Sequence, residues 1–196
     1  REFGDEKAPI SPVIFFKPNT SIVQNNGIIN IPEINGKKIS NNVHYETEVV
    51  VAIENDCRNV NESDAAEFIF GYGIGLDLTL RDLQSEAKKS GLPWGTSKGF
   101  FNSAPVSDIV PKLNIPDPMN IDFSLKIDNA IKQFSNTSLM IINIYKLISY
   151  LSTIFGLAKG DLIFTGTPEG VGQLRDGDEL LASLSDKVEL KVRFNG

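Results

Sequence analysis

Cysteine and histidine each occur once in the 196 residues, as Cys57 and His44. A single cysteine excludes an internal disulfide framework and fits a reducing compartment. The same scarcity excludes a zinc site built from Cys and His ligands. Basic charge is also in short supply. The chain has 19 Lys and Arg against 25 Asp and Glu, for a formal net charge of −6. Without a basic excess there is nothing to neutralise a phosphate backbone, so nucleic acid is excluded as a partner. The opening REFGDEKAPISP is charged and has no apolar core, so it is neither a secretory leader nor a membrane anchor. Because residue 1 is Arg, the natural N-terminus is expected upstream, together with any targeting signal. The expected location is intracellular, in cytoplasm or mitochondrion.

Internal repeats, low-complexity runs and long linkers are missing as well, and this length suits one domain with a substantial core. The longest apolar stretch, Leu139 to Leu157, falls just short of a membrane span. Asn143, Lys146, Ser149 or Tyr150, and Thr153 recur along it at helical spacing. That polar stripe predicts an amphipathic helix packed on the core, and no membrane partner.

Short extended segments dominate the rest. GIINIPEING has turns at Asn26-Gly27 and Asn35-Gly36, and FSLKIDNAIKQF predicts a hairpin turning at Asp128-Asn129. HYETEVVVAIE begins by alternating and continues as a β-branched run, which predicts one strand that becomes fully buried. A short helix is expected over 63–70, before a second apolar strand. Thr79 is placed to cap the next helix, with Asp82 as a weak capping-box partner, and Gly91 ends it before Pro93. PWGTSKGFF is read as a loop, and ELLASL with VELKVRF as a terminal strand pair. Strands outnumber helices, so the fold class is α+β with a β-rich body.

The chemistry starts at HYETE. Strand alternation sends Glu46 and Glu48 to one face, roughly 7 Å apart along the strand. They converge on one cation only if the backbone curves or a third ligand closes the gap; otherwise they line a solvated face. A buried continuation favours the cation, because buried carboxylates without partners are costly. Asp77 ends the second apolar strand and is the third acid. Arg81 and Gln84 share a helical face just beyond it, suited either to binding a carboxylate or to facing water. Lys98 lies in the Pro- and Gly-bounded loop. His44 is a possible ligand or base, but more naturally a neighbour that orients the ligands. TGTPEGVG lacks the ending of a phosphate-binding P-loop, which excludes a nucleotide site; its amides and Thr167 hydroxyl suit an anion.

HYETE, LDLTLRDLQ, GLPWGTSKGF and LAKGDLIFTGTPEGVG occur in that order. The set resembles the fumarylacetoacetate hydrolase family, in particular its small single-domain branch of acylpyruvate hydrolases and oxaloacetate decarboxylases. The resemblance runs from FFKP near residue 15 to the last strands. It implies the family's C-terminal-domain fold, with several mixed β-sheet layers and few helices, over residues 15–196. Residues 1–14 would be the remnant of a mobile N-terminal lid. It also implies Mg²⁺ (with Mn²⁺ as a substitute) on Glu46, Glu48 and Asp77, and a homodimer. Lys98 and Gln84 would be catalytic, and Arg81 and Thr167 would bind a small 2-oxo acid. In the lid motif Glu2 would be the catalytic glutamate, with its histidine partner upstream of Arg1. The implied activity is Mg²⁺-dependent cleavage of the carbon–carbon bond in 3-acylpyruvates such as acetylpyruvate or fumarylpyruvate. The alternatives are oxaloacetate decarboxylation, oxaloacetate keto–enol tautomerisation and, outside catalysis, 2-oxo acid binding.

Overall fold

A computed structural model describes residues 11–196. Its first layer is a four-stranded antiparallel sheet ordered Val110–Pro111, Ile69–Leu76, Thr47–Ile53, Leu162–Phe164. All seven residues of Thr47–Ile53 are buried, as its β-branched sequence predicts for a strand covered on both faces. Gly75 sits opposite Glu48 in this ladder. A Cβ there would lie 2.6 Å from the Phe164 ring and 2.8 Å from Val50, so only glycine admits that packing.

The second layer is a mixed five-stranded sheet ordered Ala130–Asn136, Asp122–Ile127, Glu179–Leu184, Val188–Asn195, Ile28–Asn30, the last pair being parallel. Its strands Glu179–Leu184 and Val188–Asn195 pack on Ile69–Leu76, and the core lies between the layers. The predicted hairpin turns at Asp128 and Asn129, both with left-handed backbone (φ 49° and 65°). The α+β, β-rich expectation is met.

The HYETE strand is not continuous. It breaks at Glu46 into Val43–Tyr45 and Thr47–Ile53. The cause is a change of partner: Val43–Tyr45 joins a separate three-stranded sheet with Thr79–Leu80 and Gly172–Gln173. The strand facing it makes the same transfer, leaving the four-stranded sheet after Leu76 and entering the three-stranded one at Thr79. The ladder register carries through the crossing, pairing Thr47 with Leu76 and His44 with Thr79. Between those pairs, Asp77 N donates to Glu46 O at 2.8 Å.

Two helix expectations need correction. The helix Arg81–Ser90 ends at Gly91 in the left-handed region as predicted, but Thr79 does not cap it. Thr79 is a strand residue whose hydroxyl is committed elsewhere, and the N-cap position is Leu80, with no side-chain cap. The 139–157 segment contributes a shorter helix, Ile144–Ile154, because Asn143 caps it by accepting from Lys146 N at 2.8 Å. Ile144, Leu147, Ile148 and Leu151 are its buried face, packed on a 3₁₀ segment Glu62–Phe68. Among the described residues, no helix is long and apolar enough to cross a membrane.

Candidate metal centre

Glu46 and Asp77 lie at the crossing between sheets, and Glu48 is two residues into the buried strand. The break at Glu46 supplies the backbone change that an unbroken strand lacks, and each of the three residues offers an oxygen within 4.8 Å of the others. Glu46 and Asp77 are 1% exposed and Glu48 is 5% exposed. Three carboxylates so close together, out of water, demand positive charge.

Lys98 supplies part of it. The expected loop around it includes a four-residue helix, Gly95–Lys98, which delivers an ammonium that is itself 1% exposed. Its Nζ donates to Glu46 Oε2 at 2.7 Å and to Asp77 Oδ2 at 2.6 Å, and lies 4.8 Å from the Phe15 ring centroid. Burial works against this charge, but Asp77 and then Glu46 outweigh it and hold the ammonium above its ordinary pKa. Arg81 Nη2 pairs with Glu46 Oε1 at 2.5 Å.

Lys17 was not singled out from sequence. Its Nζ lies 2.8 Å from Asp77 Oδ1. It also donates to the backbone oxygens of Leu78 (3.2 Å), Ser103 (2.9 Å) and Lys98. Burial pulls its pKa below the ordinary lysine value, an effect that Asp77 offsets only in part. The available signal was a lysine set between aromatics and a proline in FFKP. Its partners, remote in sequence, gave local reasoning nothing to join it to.

Glu48 is different. Its Oε2 accepts from Gly166 N at 2.7 Å, and among the described residues no cation is in ion-pair contact with it. Burial, followed by the repulsion of Asp77, pushes its carboxyl well above the usual range. An all-oxygen donor set with one carboxylate short of a counter-charge fits a hard divalent cation such as Mg²⁺ or Mn²⁺.

Other polar groups complete the surroundings. The Thr79 hydroxyl, expected at a helix terminus, lies within donating distance of Glu46 Oε1 (3.1 Å) and Asp77 O (3.2 Å). Gln84 is fully buried; its Oε1 accepts from Arg81 Nη1 at 2.7 Å, and its Nε2 has no partner among the described residues. Thr167 follows Gly166 in the turn that touches Glu48. Gln133, also missed from sequence, reaches this turn from the five-stranded sheet. It occupies the one buried position of an otherwise open strand, which its sequence neighbours do not reveal. His44 stands apart: its Nε2 shares a 2.9 Å hydrogen bond with Asn42 Oδ1, and it bonds to none of the three carboxylates. Burial and then Arg81 hold it below the ordinary histidine value. Glu2 lies outside the described residues.

The arrangement is suited to gathering an anionic oxygen ligand around a cation, with donors on several sides. Comparison with known proteins identifies the family. The family described as "Fumarylacetoacetate (FAA) hydrolase C-terminal" matches residues 1–195. The chain is 41% identical to the mitochondrial oxaloacetate tautomerase of Bos taurus over 186 residues, covering 95% of this chain and 82% of that protein. It is 40% identical to the mitochondrial oxaloacetate tautomerase of Arabidopsis thaliana over 191 residues, covering 97% and 83%. Among solved structures, the fumarylpyruvate hydrolase of Pseudomonas aeruginosa in complex with Mn²⁺ and pyruvate matches with a TM-score of 0.85. Identity there is 35%, over 95% of this chain and 80% of that one.

Proposed function

This chain belongs to the fumarylacetoacetate hydrolase family, and on that footing we propose that it is a divalent-metal enzyme converting oxaloacetate between its keto and enol forms. The observation that carries the reading is the charge balance of the buried centre. Glu46, Glu48 and Asp77 bring three negative charges, and Lys17, Lys98 and Arg81 bring three positive ones. Among the described residues these balance, so a divalent ion on the carboxylates adds net positive charge, which suits an anionic ligand. The tautomerase descriptions belong to relatives that match nearly the whole chain at 41% and 40% identity, which favours oxaloacetate as that anion.

Mg²⁺, with Mn²⁺ as substitute, would be held by Glu46, Glu48 and Asp77 and would supply Lewis-acid charge for the keto oxygen. The side chains do the rest. Lys98, whose ammonium already donates to Glu46 and Asp77, would act toward substrate as a hydrogen-bond donor. Gln84 Nε2 offers a second donor whose hydrogen-bonding capacity is unspent among the described residues. Arg81, held by Glu46 and Gln84, and the Thr167 hydroxyl would bind substrate carboxylates. Lys17 braces Asp77 on its other oxygen. Together these groups favour the substrate form with negative charge on the former keto oxygen, the feature shared by enolisation, decarboxylation and cleavage.

The second reading is hydrolysis of a 3-acylpyruvate, with Glu2 as part of the water-activating pair. It is favoured by the likeness to a fumarylpyruvate hydrolase that holds Mn²⁺ and pyruvate. Oxaloacetate decarboxylation would draw on the same donors. A homodimer in cytoplasm or mitochondrion completes the proposal; light scattering and fractionation would check those two points.

One set of assays separates the readings. Loss of the oxaloacetate enol absorbance, carbon dioxide release and acetylpyruvate cleavage are measured side by side with Mg²⁺, Mn²⁺ or a chelator. Enol conversion should be fastest and should stop on chelation. Faster acetylpyruvate cleavage would return the chain to the hydrolase reading, and conversion that survives chelation would overturn both.

A further inference from the structure

We infer that Gln133 is a positioning residue that fixes the direction of the Thr167 hydroxyl, making it a hydrogen-bond donor toward the substrate carboxylate. The inference rests on the 2-oxo acid reading above and names how one contact of that site is set.

Gln133 is 2% exposed and bridges two segments of the centre. Its Oε1 accepts from the backbone N–H of Thr47, the residue between Glu46 and Glu48, at 3.0 Å. Its Nε2 faces Thr167 Oγ1 at 3.0 Å and the backbone oxygens of Pro168 and Glu169 at 3.2 and 3.5 Å. The amide orientation follows from these neighbours. A backbone N–H can only donate and carbonyl oxygens can only accept, so the oxygen must face Thr47 and the nitrogen must face the turn.

The consequence passes to Thr167. An amide nitrogen does not accept, so the threonine oxygen must accept from Gln133, and the hydroxyl proton must point away from it. Among the described residues that hydroxyl has no other hydrogen bond. The adjacent Gly166 N–H is spent on Glu48, which places the turn against the carboxylate cluster. A half-buried hydroxyl that could face a ligand either way is thus committed to donating, which suits a carboxylate and disfavours a donor group at that position.

The test is calorimetric titration of the Mn²⁺-loaded protein with pyruvate, together with Mn²⁺ titration of the metal-free protein. Gln133→Met should weaken pyruvate binding about tenfold, the scale of one hydrogen bond to a charged group, while Mn²⁺ affinity changes far less. Gln133→Glu, which turns the hydroxyl toward itself, should weaken pyruvate further. Gln133→Met with Thr167→Val should bind pyruvate no more weakly than Thr167→Val alone. Normal pyruvate binding by Gln133→Met, equal losses for Mn²⁺ and pyruvate, or additive losses in the double variant would each overturn the inference. Should the Gln133 variants not fold, Thr167→Ser and Thr167→Val decide it with Gln133 in place. Ser keeps the donor and should bind as the parent does, whereas equal weakening by Ser and Val overturns the inference. A parent protein that binds Mn²⁺ but no pyruvate overturns the functional reading itself, a pattern distinct from the others.

Discussion

Glu46 and Asp77 meet across one antiparallel register at the level where both of their strands pass from the four-stranded sheet to the three-stranded one. Asp77 N donates to Glu46 O at 2.8 Å, and Lys98 Nζ bridges the two carboxylates at 2.7 and 2.6 Å. Like charges directly opposite each other weaken a sheet, so this pairing persists because cations are brought to it.

Lys98→Met therefore removes the bridge and leaves Glu46 and Asp77 short of charge. Breaking a buried ion pair by truncating one partner costs about 3–5 kcal/mol. Thermal melts should show a large loss in the metal-free protein and a partial recovery on adding Mg²⁺. Enol conversion should fall at least about a hundredfold even where the fold is retained, the scale of losing one preorganised donor.

Glu48→Gln should change stability in opposite directions in the two states. In the metal-free protein it removes a carboxyl whose ionisation burial opposes, so at pH above the ordinary carboxylate range melting should rise by about 2–4 °C for each kcal/mol relieved. With Mg²⁺ present the variant should melt below the parent, because it has lost a ligand. Melting curves with and without the ion check both signs.

Thr79→Val separates a capping role from a role at the site. A lost helix cap would lower helicity, whereas a lost bond to Glu46 would not. Circular dichroism should be unchanged, stability should fall by about 1 kcal/mol, and metal affinity should drop severalfold.

Gly75→Ala puts a Cβ 2.6 Å from the Phe164 ring at the rung that carries Glu48. Overpacking of this kind costs about 1–3 kcal/mol. Urea denaturation should register that loss, and Phe164→Leu in the same chain should restore part of it.

Much of this architecture was legible from local pattern. Asn129 and Asp128 marked their hairpin, Gly91 marked a helix end, and the β-branched run after Glu48 marked a strand buried on both faces. Period-two alternation put Glu46 and Glu48 together, but it could not show the break between them. That break reflects pairing with different partners on either side, a tertiary fact with no local residue signature. Thr79 follows the same logic: its sequence context suits a cap, yet its hydroxyl faces the buried Glu46 carboxylate and Asp77 O. Lys17 depends on backbone groups 61 and 86 residues away, and Gln133 on a turn reached only when the sheets pack. Short-range rules do not reach either one.

The order in which the site comes together follows from the crossing strands. Val43–Tyr45, Thr47–Ile53, Ile69–Leu76 and Thr79–Leu80 form one contiguous stretch. All three carboxylates and the backbone pairing between Glu46 and Asp77 belong to that stretch, which precedes residue 133 and residues 166–167 in the chain. Contacts between near segments close faster than those between distant ones. The backbone pairing that brings the three carboxylates together therefore depends on near segments, with Lys98 only 18 residues further on to bridge Glu46 and Asp77. The proposed Thr167 contact with the organic anion, and the Gln133 amide that orients it, wait for the second half of the chain.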